Sequence, residues 1–344
     1  MPRVLRPDEK LAKLVKPSLE PASTIKLESE DCYILCVGFE DRAIAGLKKA
    51  MEVSSNFRVV LIDYLPFVEE NRTSEISEIC SSADLKVEHI TYDRQNPSGF
   101  GQILLETTKN LKGRIFLDVS PMSRLLIVQC IVALARREMC LQNCTIVYSE
   151  ASIYPPSKAE YDEAQGLSEE DPTFSILLLS SGIFDVTIVP ELSSTAVAGT
   201  QTRLVAFPTF SADQFTALRS ELQPSRYVLI NGVPPKKENK WRTDAIKRIN
   251  HVNSIDSEQC HCSTFDYRET LKCLLEIYDK YAERERLIIS PTGSKMQAFA
   301  IGLFRAFMND VQIVYPTPKT FRRPNEYTKG AGQIYTIDLD GFVV

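Results

Sequence analysis

The sequence predicts an α/β protein made of two tandem Rossmann-like units with mainly parallel sheets in a pseudo-twofold arrangement. Three observations predict it. Short β-branched runs alternate with helical segments along most of the 344 residues, as in parallel strands joined by crossover helices. The order of these segments repeats after about 170 residues, the mark of a duplicated unit. One pattern occurs twice at that spacing: a buried strand, a Pro/Ser turn ending in a basic residue, and a helix apolar almost all round.

Residues 1–30 read as an N-terminal arm and linker. Leu11, Leu14 and Val15 share one side of a short helix over 8–15, which Pro17 ends, and Pro17, Pro21 and Ser23 favour extended chain. The first domain is placed at 31–195. Its strands are 32–37, 57–63, 87–92, 114–118 and 144–148, separated by helical segments up to Met51, around 74–81, at 101–111 and at 125–135. The chain then turns acidic over 150–171 (Glu160, Asp162, Glu163, Glu169, Glu170, Asp171). Residues 175–180 and 184–189 read as an antiparallel hairpin turned at Ser181-Gly182, and 191–201, small and polar, as a linker.

The second domain, 196–344, repeats the order. A strand at 203–207 precedes a helix at 212–222. The strand segment 226–234 matches 58–66, 262–266 matches 89–93, and 311–315 matches 144–148. Helices are expected at 270–278 and 296–308, and 333–339 reads as a strand closing this second copy.

Composition narrows the function. With 44% apolar and 25% charged residues the chain is an ordinary globular one, long enough for about two domains. A net charge of −5, from 40 basic and 45 acidic residues, argues against a protein that coats duplex nucleic acid. It leaves room for a small anionic ligand. The N-terminal stretch lacks the apolar core of a signal peptide, and the longest apolar run, 125–135, is too short to cross a bilayer and contains Gln129. No membrane partner is expected and the chain reads as cytoplasmic. Nine cysteines without a Cys-x-x-Cys pair read as free thiols. In Cys260-His261-Cys262 a strand would point the two cysteines one way and the histidine the other, which favours buried thiols over a metal centre. No metal or cofactor is expected.

In open parallel sheets, ligands sit outside the carboxyl ends of the strands. The two repeated turns lie there, and they supply the candidate ligand-binding residues: Ser120, Ser123 and Arg124 in the first copy, Thr292, Gly293, Ser294 and Lys295 in the second. Free N–H groups at a helix start, with hydroxyls and a positive charge, suit an anion. A basic residue there opposes the helix dipole, which is easier to explain if an anion is bound. Asp63 and Asp93 read as residues that orient or cap. The charge-dense Glu40-Asp41-Arg42 has no counterpart in Pro208-Thr209-Phe210-Ser211, so a shared site would be asymmetric. Lys319, Arg322, Arg323 and Lys329 either pair with the acidic stretch of copy one or form a basic lid. The turn 291–295 is not a Walker loop, Gly38 does not begin a dinucleotide fingerprint, and no Gly-x-Ser-x-Gly elbow is present. Trp241 with Lys236, Lys237, Lys240 and Arg242 reads as a solvated face rather than a nucleic-acid surface.

The run Ile289-Ser290-Pro291-Thr292-Gly293-Ser294-Lys295-Met296, with its buried helix, resembles the signature turn of the CRISPR-associated Rossmann fold (CARF) domains. In that family a Thr-Gly-Gly-Thr-Lys-like loop follows a late strand; here the loop is shorter and carries a single glycine. The tandem copies are similar to the related SAVED domains, which fuse two such units in one chain, with Asp118 to Arg124 as the second loop. The resemblance implies a cyclic oligonucleotide ligand clasped by the two loops, with Ser123, Arg124, Ser294 and Lys295 on its phosphate or ribose. No nuclease signature is present, so a separate effector protein is implied. Three readings stay open. The first is a nucleotide sensor in prokaryotic antiviral defence. The second is an enzyme cleaving phosphodiester or N-glycosidic bonds of nucleotides or nucleosides, with Glu40, Asp41 or Asp118 as acid/base groups. The third is a scaffold for a partner protein.

Overall fold

The computed structural model describes residues 21–137, 141–164, 180–194, 199–321 and 328–339. The chain divides into two compact units, Met1–Ser152 with Lys329–Val344, and Ile153–Thr328. In chain order the first run holds β1 (Cys32–Cys36), α1 (Ala45–Met51), β2 (Arg58–Leu65), α2 (Thr73–Ser82), β3 (Lys86–Asp93), α3 (Phe100–Thr108), β4 (Ile115–Asp118), α4 (Arg124–Arg136) and β5 (Cys144–Ile153). Next come α5 (Lys158–Ala164), β6 (Ser180–Ile188), β7 (Gln201–Ala206), α6 (Ala212–Leu222), β8 (Arg226–Val233), α7 (Trp241–Ile249) and β9 (Glu258–Ser263). The chain continues through α8 (Tyr267–Tyr281), β10 (Glu285–Ile289), α9 (Lys295–Phe307), β11 (Gln312–Phe321) and β12 (Lys329–Asp338).

The two sheets run β12-β5-β4-β1-β2-β3 and β6-β11-β10-β7-β8-β9. In the first, β1 pairs in parallel with β2 and β4, β2 with β3, and β4 with β5. The second repeats this for β7, β8, β9, β10 and β11. Five strands of each sheet therefore share one doubly wound topology, and the repeat read in the sequence is a repeat of structure. Both central strands, β1 and β4, are buried throughout, as parallel strands covered by helices must be. Positions 125–135 of α4 and 296–305 of α9 are all buried, which explains why these helices carry apolar residues on every side.

The sixth strands depart from the sequence reading. Strand β6 follows β5 in the chain, yet it pairs antiparallel with β11. Strand β12 follows β11, yet it lies beside β5 in the first sheet. The strand expected at 333–339 to close the second copy thus completes the first. The expected hairpin is also corrected: Ser181-Gly182 lies inside β6, and 175–179 fall outside the described residues. Gly182 has a φ of +64°, and the pairing with β11 slips between Thr317 and Pro318, so the turn-like composition marks an irregular strand.

Part of the expected arm belongs to the first core. Ile25 and Leu27 are buried, and Ala22 N–H donates to Ile334 O at 2.7 Å. The short helix expected at 8–15 lies outside the described residues, as do Glu169, Glu170, Asp171, Arg322 and Arg323. Lys319 stands in β11 and Lys329 opens β12, so these two cations belong to different sheets.

The cationic-aromatic stretch at the start of α7 is no solvated face at its centre. Arg242 donates to three successive carbonyls, Tyr154 O at 3.1 Å, Pro155 O at 2.9 Å and Pro156 O at 2.8 Å. Its guanidinium lies over the Phe210 and Trp241 rings, and Trp241 stacks on Tyr161. Burial lowers the Arg242 pKa to about 10. The side chain works as an internal clamp that fixes 154–156 within the second unit, while Trp241 holds α5 through Tyr161. Among the described residues no helix is long and apolar enough to cross a membrane.

Candidate functional site

The strand order places the topological switch point between β1 and β4 in the first unit and between β7 and β10 in the second. Outside those carboxyl ends lies the crevice where doubly wound sheets bind ligands. The turn after β4 and the turn after β10 stand at these points. Within each unit the turn touches the loop after the neighbouring central strand. A Cβ built on Gly38, after β1, would lie 3.3 Å from Pro121 Cβ. Thr292 donates its hydroxyl to Phe207 O, after β7, at 2.8 Å.

Ser123 and Ser294 occupy the same place in both copies. Each is the N-cap of a 13-residue helix. Ser123 Oγ accepts from Leu126 N–H at 3.3 Å, and Ser294 Oγ accepts from Gln297 N–H at 3.1 Å. Arg124 and Lys295 are then the first helical residues of α4 and α9, both half-buried, and neither first turn contains an acidic residue. A cation at this position adds to the positive end of the helix dipole instead of offsetting it. The two turns place a cation at equivalent positions, each at a switch point.

The hydroxyls and carboxylates predicted for the site are mostly occupied by the fold. In the first unit, Asp118 and Ser120 are fully buried. Asp118 Oδ1 accepts from Ser120 N–H at 2.9 Å and also from the Ser120 hydroxyl, while Oδ2 accepts from Tyr33 Oη at 2.8 Å. Ser120 Oγ in turn accepts from Ser149 N–H at 2.7 Å. This network braces the turn between β1, β4 and β5. Burial, reinforced by Asp118, pushes the Tyr33 phenol well above its ordinary pKa, so it remains a donor. Glu40 is buried in a two-bond ion pair with Arg42, at 2.9 and 3.0 Å. Exposed Asp41 accepts from Arg72 Nη1 at 3.0 Å and from Gly330 N–H at 2.8 Å. Asp63 meets His89 Nδ1 at 2.7 Å across β2 and β3, and Asp93 accepts from Gln95 N–H at 2.8 Å in the turn after β3, so both hold structure rather than cap a helix.

In the second unit, Thr292 and Gly293 are buried and Ser294 is half-buried. Ser294 donates its hydroxyl to Thr264 O at 2.7 Å, which ties the turn to the loop after β9. Gly293 lies against Gln297 and the Phe207 ring, where a built Cβ would come 3.0 Å from Phe207 Cδ1. The turn favours glycine because a side chain there would run into Gln297 Oε1, the acceptor from Ser294 N–H, and crowd the Phe207 ring.

Sequence reasoning missed two supporting residues. Gln297 returns its Oε1 to Ser294 N–H at 2.8 Å, completing a capping box. The Ser-x-x-Gln spacing carried that signal. Tyr64, from the end of β2, accepts from Ser123 N–H at 2.6 Å and is buried, which raises its pKa. Nothing in the local sequence announces this contact, because it spans 59 residues. The capping box gives a direct prediction: Ser294→Ala costs about 1 kcal/mol through the lost cap. Chemical unfolding followed by fluorescence of Trp241, in the same unit, measures it.

No protein-family model matches the sequence, and no curated protein matches it. Among solved structures the fold is similar to that of a type III CRISPR defence DNA nuclease activated by cyclic oligoadenylate. Identity is 10%, the TM-score 0.51, and the match covers 83% of this chain and 65% of that one. Two other matches are the cytoplasmic domain of a prokaryotic cation chloride cotransporter (8% identity, TM-score 0.25, 83% of this chain and 94% of the other) and a universal stress protein from Archaeoglobus fulgidus DSM 4304 (10%, 0.23, 84% and 97%). Those two share too little geometry to bear on this protein. At such identities the first likeness is one of fold, and the chain spans slightly under two thirds of that nuclease.

Proposed function

We propose that the protein is a nucleotide sensor of CARF/SAVED type that binds an anionic oligonucleotide, cyclic in its preferred form, with the switch-point turn of each unit as an anion-binding element. The observation that carries this reading is the equivalence of Arg124 and Lys295. Each is the first residue of a buried helix, at the switch point of its own doubly wound unit, without an acidic neighbour in the first turn. Both copies carry a cation at a helix start, where the dipole disfavours a positive charge and an anionic ligand would favour it. The fold likeness to a nuclease activated by cyclic oligoadenylate supports the same ligand class. Ser123 and Ser294 contribute the N-terminal N–H groups they help to order, and Ser120, Thr292 and Gly293 shape the turns from beneath.

Binding is favoured over cleavage because Glu40 and Asp118 are bound inside the fold and Asp41 is paired with Arg72. The sensor would then act on a separate effector in cytoplasmic antiviral defence. Thermal-shift titration with linear and cyclic oligonucleotides tests the proposal. A ligand at a hundredfold excess over its Kd raises stability by about 2.7 kcal/mol. Each of Arg124→Ala and Lys295→Ala is expected to weaken binding by about 1.5–3 kcal/mol, the worth of a hydrogen bond to a charged group. No shift with any oligonucleotide, or an unchanged affinity in both folded variants, overturns it.

A further inference from the structure

Among the described residues the most exposed large apolar side chain is Phe67, at 68%, and Leu65 close by is 44% exposed. Most described phenylalanines are buried. Phe67 stands in the loop 66–72, just past the carboxyl end of β2. That loop is tied down on both sides. Arg94, after β3, donates its N–H to Leu65 O at 2.9 Å and its Nη2 to Pro66 O at 3.2 Å. At the far end Arg72 N–H donates to Gly38 O, after β1, at 3.1 Å, and within the loop Asn71 N–H donates to Val68 O at 3.1 Å. A backbone held by these bonds presents the ring to solvent at the ligand-binding edge of the sheet.

The loop borders the first switch-point turn. Tyr64, the next-to-last residue of β2, accepts from Ser123 N–H at 2.6 Å, and the Arg94 guanidinium lies 5.2 Å from the centre of the Tyr64 ring. Gly38, which holds the far end of the loop, packs against Pro121 of the same turn. Strand β2 lies two strands from β4, about 10 Å at ordinary strand spacing. A nucleotide whose phosphate sits at Arg124 can span that distance with its base.

Charge decides which part of a nucleotide the loop takes. Glu69 and Glu70 follow Phe67 and are exposed, and the arginine of the loop, Arg72, pairs with Asp41 and Glu75. A phosphate is repelled there. The uncharged face of a base is not, and an aromatic side chain can stack on any base because each has a π-face. The second unit lacks the feature: segments 58–66 and 226–234 correspond, and Pro235 stands where Phe67 does.

We propose that Phe67 is a stacking platform for one nucleobase of the ligand whose phosphate is held at the first switch-point turn. This role rests on the sensor reading above and adds that base stacking belongs to the first unit. Calorimetric titration of the full-length protein tests it. Three cyclic probes are used, of the ring size that stabilises the protein most: an oligoadenylate, an oligouridylate and an abasic phosphodiester ring. The unmutated chain is expected to bind the two base-bearing rings more tightly than the abasic one. Phe67→Ala is expected to lose about 5- to 150-fold in affinity for the oligoadenylate, the worth of one stacked base, and to bind the abasic ring unchanged. Phe67→Trp keeps the affinity. 2-Aminopurine placed in the oligoadenylate is expected to be quenched by the unmutated chain and by Phe67→Trp, and less by Phe67→Ala. Unchanged oligoadenylate affinity in Phe67→Ala, where Arg124→Ala weakens it, overturns this role and leaves the sensor reading standing. Equal affinity of the unmutated chain for base-bearing and abasic rings overturns it whether or not Phe67→Ala folds. No binding of any probe fails the sensor reading and this role with it.

Discussion

A chain ending at Thr328 is expected to lose its first unit and keep its second. Strand β12, which this truncation removes, buries Tyr335 and Ile337, and Leu339 just beyond it is buried too. Full burial of such side chains contributes about 1.5–3 kcal/mol each, so about 5–9 kcal/mol leaves with the strand. That is comparable with the whole stability of an ordinary domain, about 5–15 kcal/mol. Polar ties go as well. Asp338 accepts from Thr145 Oγ1 at 2.6 Å and from Arg114 Nη1 at 3.3 Å, and Leu339 N–H donates to Cys144 O at 2.9 Å. All these partners lie in the first unit. The one tryptophan of the chain, Trp241, stacks in the second and reports on it alone. The truncated protein is expected to show a normal Trp241 fluorescence transition, while backbone amides of β1, β4 and β5 lose protection in hydrogen exchange. A simple tandem, with β12 closing the second copy, requires the opposite result. Intact protection in β4 and β5 with a weakened Trp241 transition would therefore reverse the strand assignment.

Gly46→Ala is expected to destabilise the first unit by about 3 kcal/mol. Gly46 lies on α1 where the helix crosses the Tyr33–Asp118 hydrogen bond. A built Cβ clashes with the Tyr33 hydroxyl and comes 2.5 Å from Asp118 Oδ2 and 3.0 Å from Val147 Cγ1. Overpacking of a tight core costs about 1–3 kcal/mol. Displacing the phenol leaves a buried carboxylate oxygen short of a donor, another 1–3 kcal/mol. Against this, alanine gains about 1 kcal/mol over glycine inside a helix. For a unit of this size each kcal/mol lowers Tm by about 2–4 °C, so a loss of about 6–12 °C is expected by calorimetry. Tyr33→Phe removes the oxygen that the new methyl meets. The glycine substitution should therefore cost clearly less in that background, a coupling that a double-mutant cycle reads. Equal costs in both backgrounds would show that the hydroxyl is not what the methyl meets.

Much of this protein was legible in its residues. The alternation of Val/Ile/Leu runs with helical segments, recurring in the same order, specified two doubly wound units, because a parallel sheet covered on both faces leaves no other place for such strands. The turns were legible for a local reason. An N-cap serine followed by a helix lined with leucine, isoleucine and phenylalanine is written within a dozen residues, and Ser294-x-x-Gln297 even spelled out its capping box. The cysteine alternation in 260–262 followed from the two-residue period of a strand.

What the residues left open depended on partners far away in the chain. Strands β6 and β12 carry ordinary strand patterns, and a pattern states which faces are apolar, not which sheet edge supplies the missing hydrogen bonds. Both copies present the same free edge, on β5 and β11, so only the assembled fold assigns each outer strand. The roles of Asp118 and Arg242 were hidden for the same reason. Each looked available for chemistry or solvent until Tyr33 and the carbonyls of 154–156 were seen to hold them. A charge is committed by whatever surrounds it in space, and for Asp118 that neighbour, Tyr33, is 85 residues away along the chain.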